Sequence, residues 1–94
     1  MNKQIVKRLE WSESKNRWLI KNRGISFEEV KISINNGKIL KIINHTNEQK
    51  YPNQKMALLE IKNYIYIVPY IEDKEKIFLK TIYPSRKYTK QYLT

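Results

Sequence analysis

Apolar positions in the first third of the chain recur with the spacing of a helix. In "WSESKNRWLIKNRG", Trp11 and Trp18 are seven residues apart and Leu19 follows the second of them, which is typical of one helical face. Ser12 is a residue type that caps helix N-termini, and Gly24 suits a helix end. The pattern predicts a first helix between these two residues, with both tryptophans as packing anchors.

The segment "SFEEVKISINNG" predicts a second helix. Ser26 and Glu29 have the spacing of a capping box, in which each side chain accepts a hydrogen bond from the other residue's backbone N–H. Phe27, Val30 and Ile34 line one face of that helix. The glycine that closes the segment marks its end.

Downstream of the second helix the apolar positions alternate with period two, as in strands. Four segments have this character: "KILKIINH", "KMALLEI", "YIYIVPYI" and "IFLKTIY". Pro69 has no N–H to donate, which favours a sheet edge, a bulge or a strand end at that position. Pro84 ends the last strand, and Ser85 can cap a short helix from Arg86 to Leu93.

These elements predict one α+β domain over residues 1–94, because no internal repeat or linker interrupts the chain. Strands joined by short turns pair antiparallel, and each helix must bury its apolar stripe on the sheet. The predicted fold has two N-terminal helices, a four-stranded antiparallel sheet (a meander) and a short C-terminal helix. The polar segment "TNEQKYPNQ" is predicted to be an exposed loop.

The composition indicates a basic protein that attracts polyanions. The net charge is +10 with a pI near 9.8, and Lys outnumbers Arg by 15 to 4. Solubility alone is the alternative explanation of this charge. The N-terminal "MNKQIVKRLEW" lacks the apolar stretch of a signal peptide, so we expect a soluble cytoplasmic protein with no membrane association.

Several chemistries lack the residues they need. One His and no Cys do not supply a zinc site, and the two glycines are too far apart for a phosphate-binding loop. The acids of "EDKE" alternate with lysines and are expected to form a solvated turn rather than a metal site. We expect neither metal nor cofactor.

The remaining inventory of Lys, Arg, Tyr and one His suits cleavage of RNA without a metal. The 2′-hydroxyl attacks the adjacent phosphate, so the protein must stabilise negative charge and move two protons. Lys and Arg supply the positive charge, and Tyr, Lys or His of tuned pKa moves the protons. Exposed Tyr rings can also stack on bases.

Both ends of the chain resemble BrnT-like toxins. The resemblance rests on "WSESKNRWLIKNRGISFEEV" at the start and "IFLKTIYPSRKYTKQYL" at the close. It implies a RelE/ParE-like fold and the toxin of a type II toxin–antitoxin pair, which cleaves RNA and inhibits translation. It also implies a ribbon-helix-helix antitoxin as partner, and contact with operator DNA only through the toxin–antitoxin complex.

The resemblance places Arg86 and Lys87 on the family's basic pair at the start of the last helix, and Lys15 on its first-helix lysine. Two positions depart from the family pattern. Asn22-Arg23 stands where relatives commonly have Lys-His, and Thr81 stands where they usually have an arginine on the last strand. Lys80 is adjacent to that position and points to the opposite face.

The candidate site therefore contains three groups of residues. We expect Arg86 and Lys87 to hold the phosphate, assisted by Lys80 or Lys55. The proton carrier is one of three residues that the sequence does not rank: Tyr70, Tyr51 and His45. The residues expected to bind RNA are Lys50, Tyr51, Lys55, Lys15, Tyr88 and Lys90.

Two alternative functions and one structural assignment stay open at this point. The protein could be a non-catalytic module that binds nucleic acid or an acidic partner, or a gyrase-directed toxin on the same fold. The stripe formed by Tyr64, Tyr66 and Tyr70 is core if helices cover it, and an aromatic platform if they do not.

Overall fold

A computed structural model describes residues 7–44, 49–50 and 53–93. In these residues three helices pack on a sheet whose strands come from both halves of the chain. The elements are, in chain order, β1 (Arg8–Trp11), α1 (Glu13–Arg23), α2 (Phe27–Asn35), β2 (Ile39–Asn44), β3 (Gln54–Ile61), β4 (Tyr64–Glu72), β5 (Lys76–Leu79), β6 (Tyr83–Pro84) and α3 (Arg86–Leu93). None of these helices is both long and apolar enough to cross a bilayer.

The sheet is mixed and has six strands. Its order is β1-β5-β4-β3-β2, β1 runs parallel to β5, and β6 pairs with β4. The domain is therefore α+β, but the predicted arrangement, a four-stranded antiparallel meander preceded by two helices, is wrong.

The strand that sequence reasoning missed is β1. It is four residues long, and only Leu9 and Trp11 carry its apolar pattern. Both pack against the main core, and Leu9 lies opposite Ile77 in the parallel ladder. Because this ladder pairs residues far apart in the chain, no local pattern near residue 10 predicts it.

The predicted last strand is interrupted by a bulge. Tyr70 lies opposite Leu79 and Ile67 opposite Tyr83, so two residues of β4 face three residues of the other chain segment. The extra residue lies between Lys80 and Tyr83, beside Pro69. The backbone N–H of Lys80 donates to the Pro69 carbonyl at 2.8 Å, so this pairing does not need the N–H that proline lacks.

The core occupies both faces of the sheet. On one face α1 and α2 cover a large cluster, and we call this face the helix-side face; its buried members include Leu19, Phe27, Val30, Ala57, Leu59, Val68, Tyr70, Leu79 and Ile82. The opposite face, the α3-side face, has a smaller buried cluster of Leu58, Ile65 and Ile67, against which Tyr83 and Tyr88 pack. Three layers result, with α3 alone on the second face.

The predicted helix caps are confirmed. Ser12 accepts a hydrogen bond from the backbone of Lys15, and Ser26 and Glu29 form the reciprocal capping box. Gly24 ends α1 with φ of +65°, a left-handed conformation that glycine adopts without strain. Asn16 then joins the two helices, because its buried amide accepts from Phe27 N–H at 2.8 Å and donates to Glu28 at 2.8 Å.

Candidate functional site

Helix α3 is attached to the middle strand of the sheet through the two backbone groups of Ile65. The N–H of Ser85 donates to the Ile65 carbonyl at 2.9 Å, and the Ile65 N–H donates to the Thr89 hydroxyl at 2.9 Å. The Ser85 hydroxyl accepts from Tyr88 N–H at 3.1 Å, as the predicted cap requires. These bonds hold the first turn of α3 at the end of β6.

The side chain of Lys80 crosses β4 on the α3-side face. Its Nζ donates to Gln54 Oε1 at 3.3 Å, although Lys80 follows β5 and Gln54 begins β3. Neighbouring strands are about 4.8 Å apart, so a side chain that reaches from the end of β5 to β3 must pass over β4, which lies between them. The exposed side chain of Lys80 thus lies on the α3-side face, above β4.

Tyr83 projects from the same face as Lys80 because of the bulge. Side chains three residues apart on a regular strand point to opposite faces. The additional residue between Lys80 and Tyr83 reverses this relation, so the phenol packs with the α3-side cluster and its hydroxyl lies 3.9 Å from Met56 Sδ. Tyr83 is half-buried, so its ring is anchored and part of it remains accessible.

Three cations of this region, Lys80, Arg86 and Lys87, are exposed and pair with no carboxylate among the described residues. Among the described residues, the salt bridges join Lys7 to Glu72, Arg8 to Glu10, Lys62 to Glu29 and Lys76 to Glu10. Lys80, Arg86 and Lys87 form none of them, and the Lys87 ammonium lies 5.5 Å from the centre of the Tyr88 ring. Their positive charge is therefore available to an anionic ligand.

The structure brings four of the predicted site residues to one region. Lys80 lies on the α3-side face, and Arg86, Lys87 and Tyr88 lie in the first turn of the helix packed there. Lys90 is exposed in the same helix. We call the Lys80 and Tyr83 side chains with this first turn the α3-side site.

Tyr70 lies on the helix-side face and does not belong to this site. Its side chain is 5% exposed and is a member of the main core. Burial, with a smaller effect of the Glu72 carboxylate, raises the pKa of Tyr70 to about 12. A phenol that is both shielded from RNA and this weakly acidic is unsuited to move protons, so the structure argues against the role predicted for Tyr70.

The remaining predicted residues are dispersed. Lys55 alternates with Ala57 and thus projects on the helix-side face, where it lines a cleft with Lys7 and Glu72. Lys15 lies on α1, and Lys50 is exposed between β2 and β3. His45 and Tyr51 lie outside the described residues.

The tyrosines of the stripe and the two tryptophans lie in different environments. Tyr66 packs against the main core and its ring contacts Tyr64 edge-on, with centroids 5.8 Å apart. The stripe thus follows the alternative in which helices cover that face. Trp11 stacks on Phe27 at 5.5 Å, as a packing anchor would, whereas Trp18 is 44% exposed, so the prediction that it is an anchor is wrong.

Sequence reasoning missed the functional potential of Tyr83 and Arg23. The sequence predicts Tyr83 only as a strand residue, since nothing local indicates the bulge that places it on the same face as Lys80. Arg23 donates from Nη1 to the Ile82 carbonyl at 2.6 Å, so the end of α1 contacts the bulged segment. There the Thr81 hydroxyl is buried and has no hydrogen-bond partner in the part of the chain that the structure describes.

Possible metal ligands do not converge in the same way. Among residues 7–44, 49–50 and 53–93, no three His, Asp or Glu side chains lie together as a ligand set.

Comparisons of the chain with protein-family models, with curated proteins and with solved structures give no match.

Proposed function

We propose that the protein is a metal-independent endoribonuclease that cleaves RNA at the α3-side site. The observation that carries the proposal is the common face of Lys80 and Tyr83, beside the basic first turn of α3. An ammonium, a phenol and a guanidinium are the groups that such a reaction needs, and none of the three cations here is neutralised by a described carboxylate.

The proposed reaction is an internal transesterification. The 2′-oxygen forms a bond to phosphorus, the bond from phosphorus to the 5′-oxygen breaks, and the products carry a 2′,3′-cyclic phosphate and a 5′-hydroxyl. Lys80 and Arg86 stabilise the charge that develops on the phosphate oxygens. Tyr83 donates the proton to the departing 5′-oxygen. His45 and Tyr51 remain the predicted candidates for accepting the 2′ proton.

The biological role that we propose is that of a toxin in a toxin–antitoxin pair, held inactive by a ribbon-helix-helix antitoxin. This part rests on the resemblance of residues 11–30 and 77–93 to BrnT-like toxins. A +10 domain of this size also suits rapid, electrostatically steered association with RNA or with an acidic partner. Expression without the antitoxin should arrest growth, and expression with it should not.

Cleavage assays with three variants test the reaction. Wild-type protein in excess chelator should cut RNA, alone or in a ribosome-containing extract, and leave 2′,3′-cyclic phosphate ends. Lys80→Ala should lower the cleavage rate about 10²- to 10³-fold, because one stabilising charge is lost from the transition state. Tyr83→Phe should lower it about 10²- to 10⁴-fold, because a general acid is lost. Lys31→Ala, on the exposed side of α2, is the matched control and should not change the rate.

A further variant separates an enzyme from a binding module. If wild type cleaves no RNA and Arg86→Ala weakens RNA binding, the protein binds RNA and does not cut it. Intact RNA in all wild-type reactions, with DNA damage in cells as the only phenotype, would favour a gyrase-directed toxin instead.

A further inference from the structure

Trp18 is exposed to a degree that its place on α1 does not explain. A large aromatic ring on a helix packed against a sheet is normally buried, yet 44% of Trp18 remains accessible. The helix is held to the sheet without it, because Leu19 is fully buried and Asn16 bonds to α2. The indole is therefore free to contact a ligand.

Two cations lie against this indole. Lys15 Nζ is 4.4 Å from the ring centre, and the Arg23 guanidinium carbon is 5.0 Å from it. Neither cation forms a salt bridge with a described carboxylate. The positions three and four residues from Trp18 on the helix carry no acid; they are Ser14, Lys15, Lys21 and Asn22.

Arg23 links this aromatic group to the α3-side site. Its 2.6 Å hydrogen bond to the Ile82 carbonyl holds the guanidinium beside the residue that precedes Tyr83. On this side β6 has no strand neighbour among the described residues, since β1 ends opposite Leu79 and β6 pairs with β4. The open edge of β6 therefore separates the indole from the proposed cleavage position.

We propose that Trp18, Lys15 and Arg23 form a stacking subsite for single-stranded RNA, which receives a base of the strand as it passes over the edge of β6. This inference rests on the proposed function for the identity of the ligand. Aromatic rings bind bases of any sequence through stacking, and adjacent cations bind the phosphates between them. Charge favours a polyanion here, because Lys15 and Arg23 lie against the ring and the positions three and four residues from Trp18 carry no acid.

The two cations have different parts in this subsite. Arg23 is held by the Ile82 carbonyl and keeps its place against the ring. Lys15 has a flexible side chain with a point charge, so an incoming base displaces its ammonium toward a phosphate. The indole then contacts the base in place of Lys15.

Binding of a 2′-O-methylated single-stranded RNA tests the subsite, because this strand cannot undergo attack by a 2′-hydroxyl. Trp18→Leu should weaken binding about 5- to 150-fold. In a Trp11→Phe background, the RNA should quench the fluorescence of Trp18, the one tryptophan left. Ile20→Ala is the matched control, since Ile20 is 52% exposed on the same helix and its replacement should leave the affinity unchanged.

The outcomes separate this inference from the proposed function. If Trp18→Leu binds the strand as tightly as wild type, the subsite does not exist, whether or not wild type cleaves RNA. If Trp18→Leu keeps RNA affinity but no longer retains a protein partner, the indole is a protein contact and the inference is overturned. If wild type binds RNA through Trp18 and cleaves none, the subsite stands and the nuclease proposal fails. Unchanged thermal unfolding of Trp18→Leu excludes a folding defect.

Discussion

Burial determines what a single phenol can do in this protein. Tyr70 and Tyr83 lie on strands that neighbour each other in the sheet, but on opposite faces. Tyr70 is enclosed by the helix-side core, where the charged form of a phenol is disfavoured. Tyr83 lies at the margin of the smaller cluster and keeps part of its ring accessible. Residue type alone does not distinguish them.

The Tyr70→Phe variant should lose less stability than wild type as the pH rises into the alkaline range. The folded pKa of about 12 is above the ordinary value of 10.0, so the folded state keeps a proton that the unfolded chain releases. The stabilisation is complete below pH 10 and is lost as the pH rises toward 12. Urea unfolding of both proteins between pH 9 and 12 measures this as a difference of at most about 2 to 3 kcal/mol in the pH-dependent loss. Parallel curves would contradict the burial argument.

At the scale of elements, the position of α3 depends on few contacts. It has no fully buried residue, and it is tied to the sheet by Ser85 and Thr89, which bond to the two backbone groups of Ile65. The first turn of α3, with its two cations, is therefore positioned by polar bonds as well as by the packing of Tyr88.

Thr89→Val should loosen α3 while changing the volume of the side chain little. The Ile65 N–H then loses its acceptor, which costs about 1 to 3 kcal/mol for a buried donor. Amide hydrogen exchange should be faster at Ile65 and through α3, and RNA cleavage should fall because Arg86 is no longer held in place. Thr89→Ser retains the hydroxyl and is the control. Unchanged exchange in α3 would show that packing alone holds the helix.

The elements also show which structural features local sequence patterns predict and which they do not. The N-cap at Ser12, the capping box of Ser26 and Glu29, the turn at Gly24 and the helix after Ser85 follow from interactions between neighbouring residues, and each is confirmed. β1 and the bulge depend on pairing between strands that are distant in the sequence, and local patterns do not predict such pairing. The bulge matters most, because it places Lys80 and Tyr83 on one face.

For the whole molecule, the +10 charge is a property of the surface and acts on any polyanion. A specific binding site differs from this general attraction because particular cations contact the phosphates of the ligand. Arg8, Lys62 and Lys76 pair with carboxylates, whereas Lys80, Arg86 and Lys87 do not pair with any described one. Among the described residues, the structure thus separates cations that pair with carboxylates from Lys80, Arg86 and Lys87, which do not.

The salt dependence of RNA binding should reflect this division. Each phosphate contact that is removed should reduce the slope of log K against log salt by about 0.7 for a single strand. Lys80→Ala and Arg86→Ala should each show this reduction, and Lys76→Ala should not, because Glu10 already pairs with Lys76. Equal reductions in all three variants would mean that RNA binds through overall charge rather than at the α3-side site.

The sequence by itself determined the three helices, their caps, the main strand segments and the chemical inventory of Lys, Arg and Tyr. Those features follow from interactions within a few residues and from composition. The tertiary structure decided the parallel strand β1, the bulge, the burial of Tyr70, the exposure of Trp18 and the placement of Tyr83 on the same face as Lys80. Each of these depends on which side chains meet across the sheet, and that pairing is set by packing between segments remote in the chain.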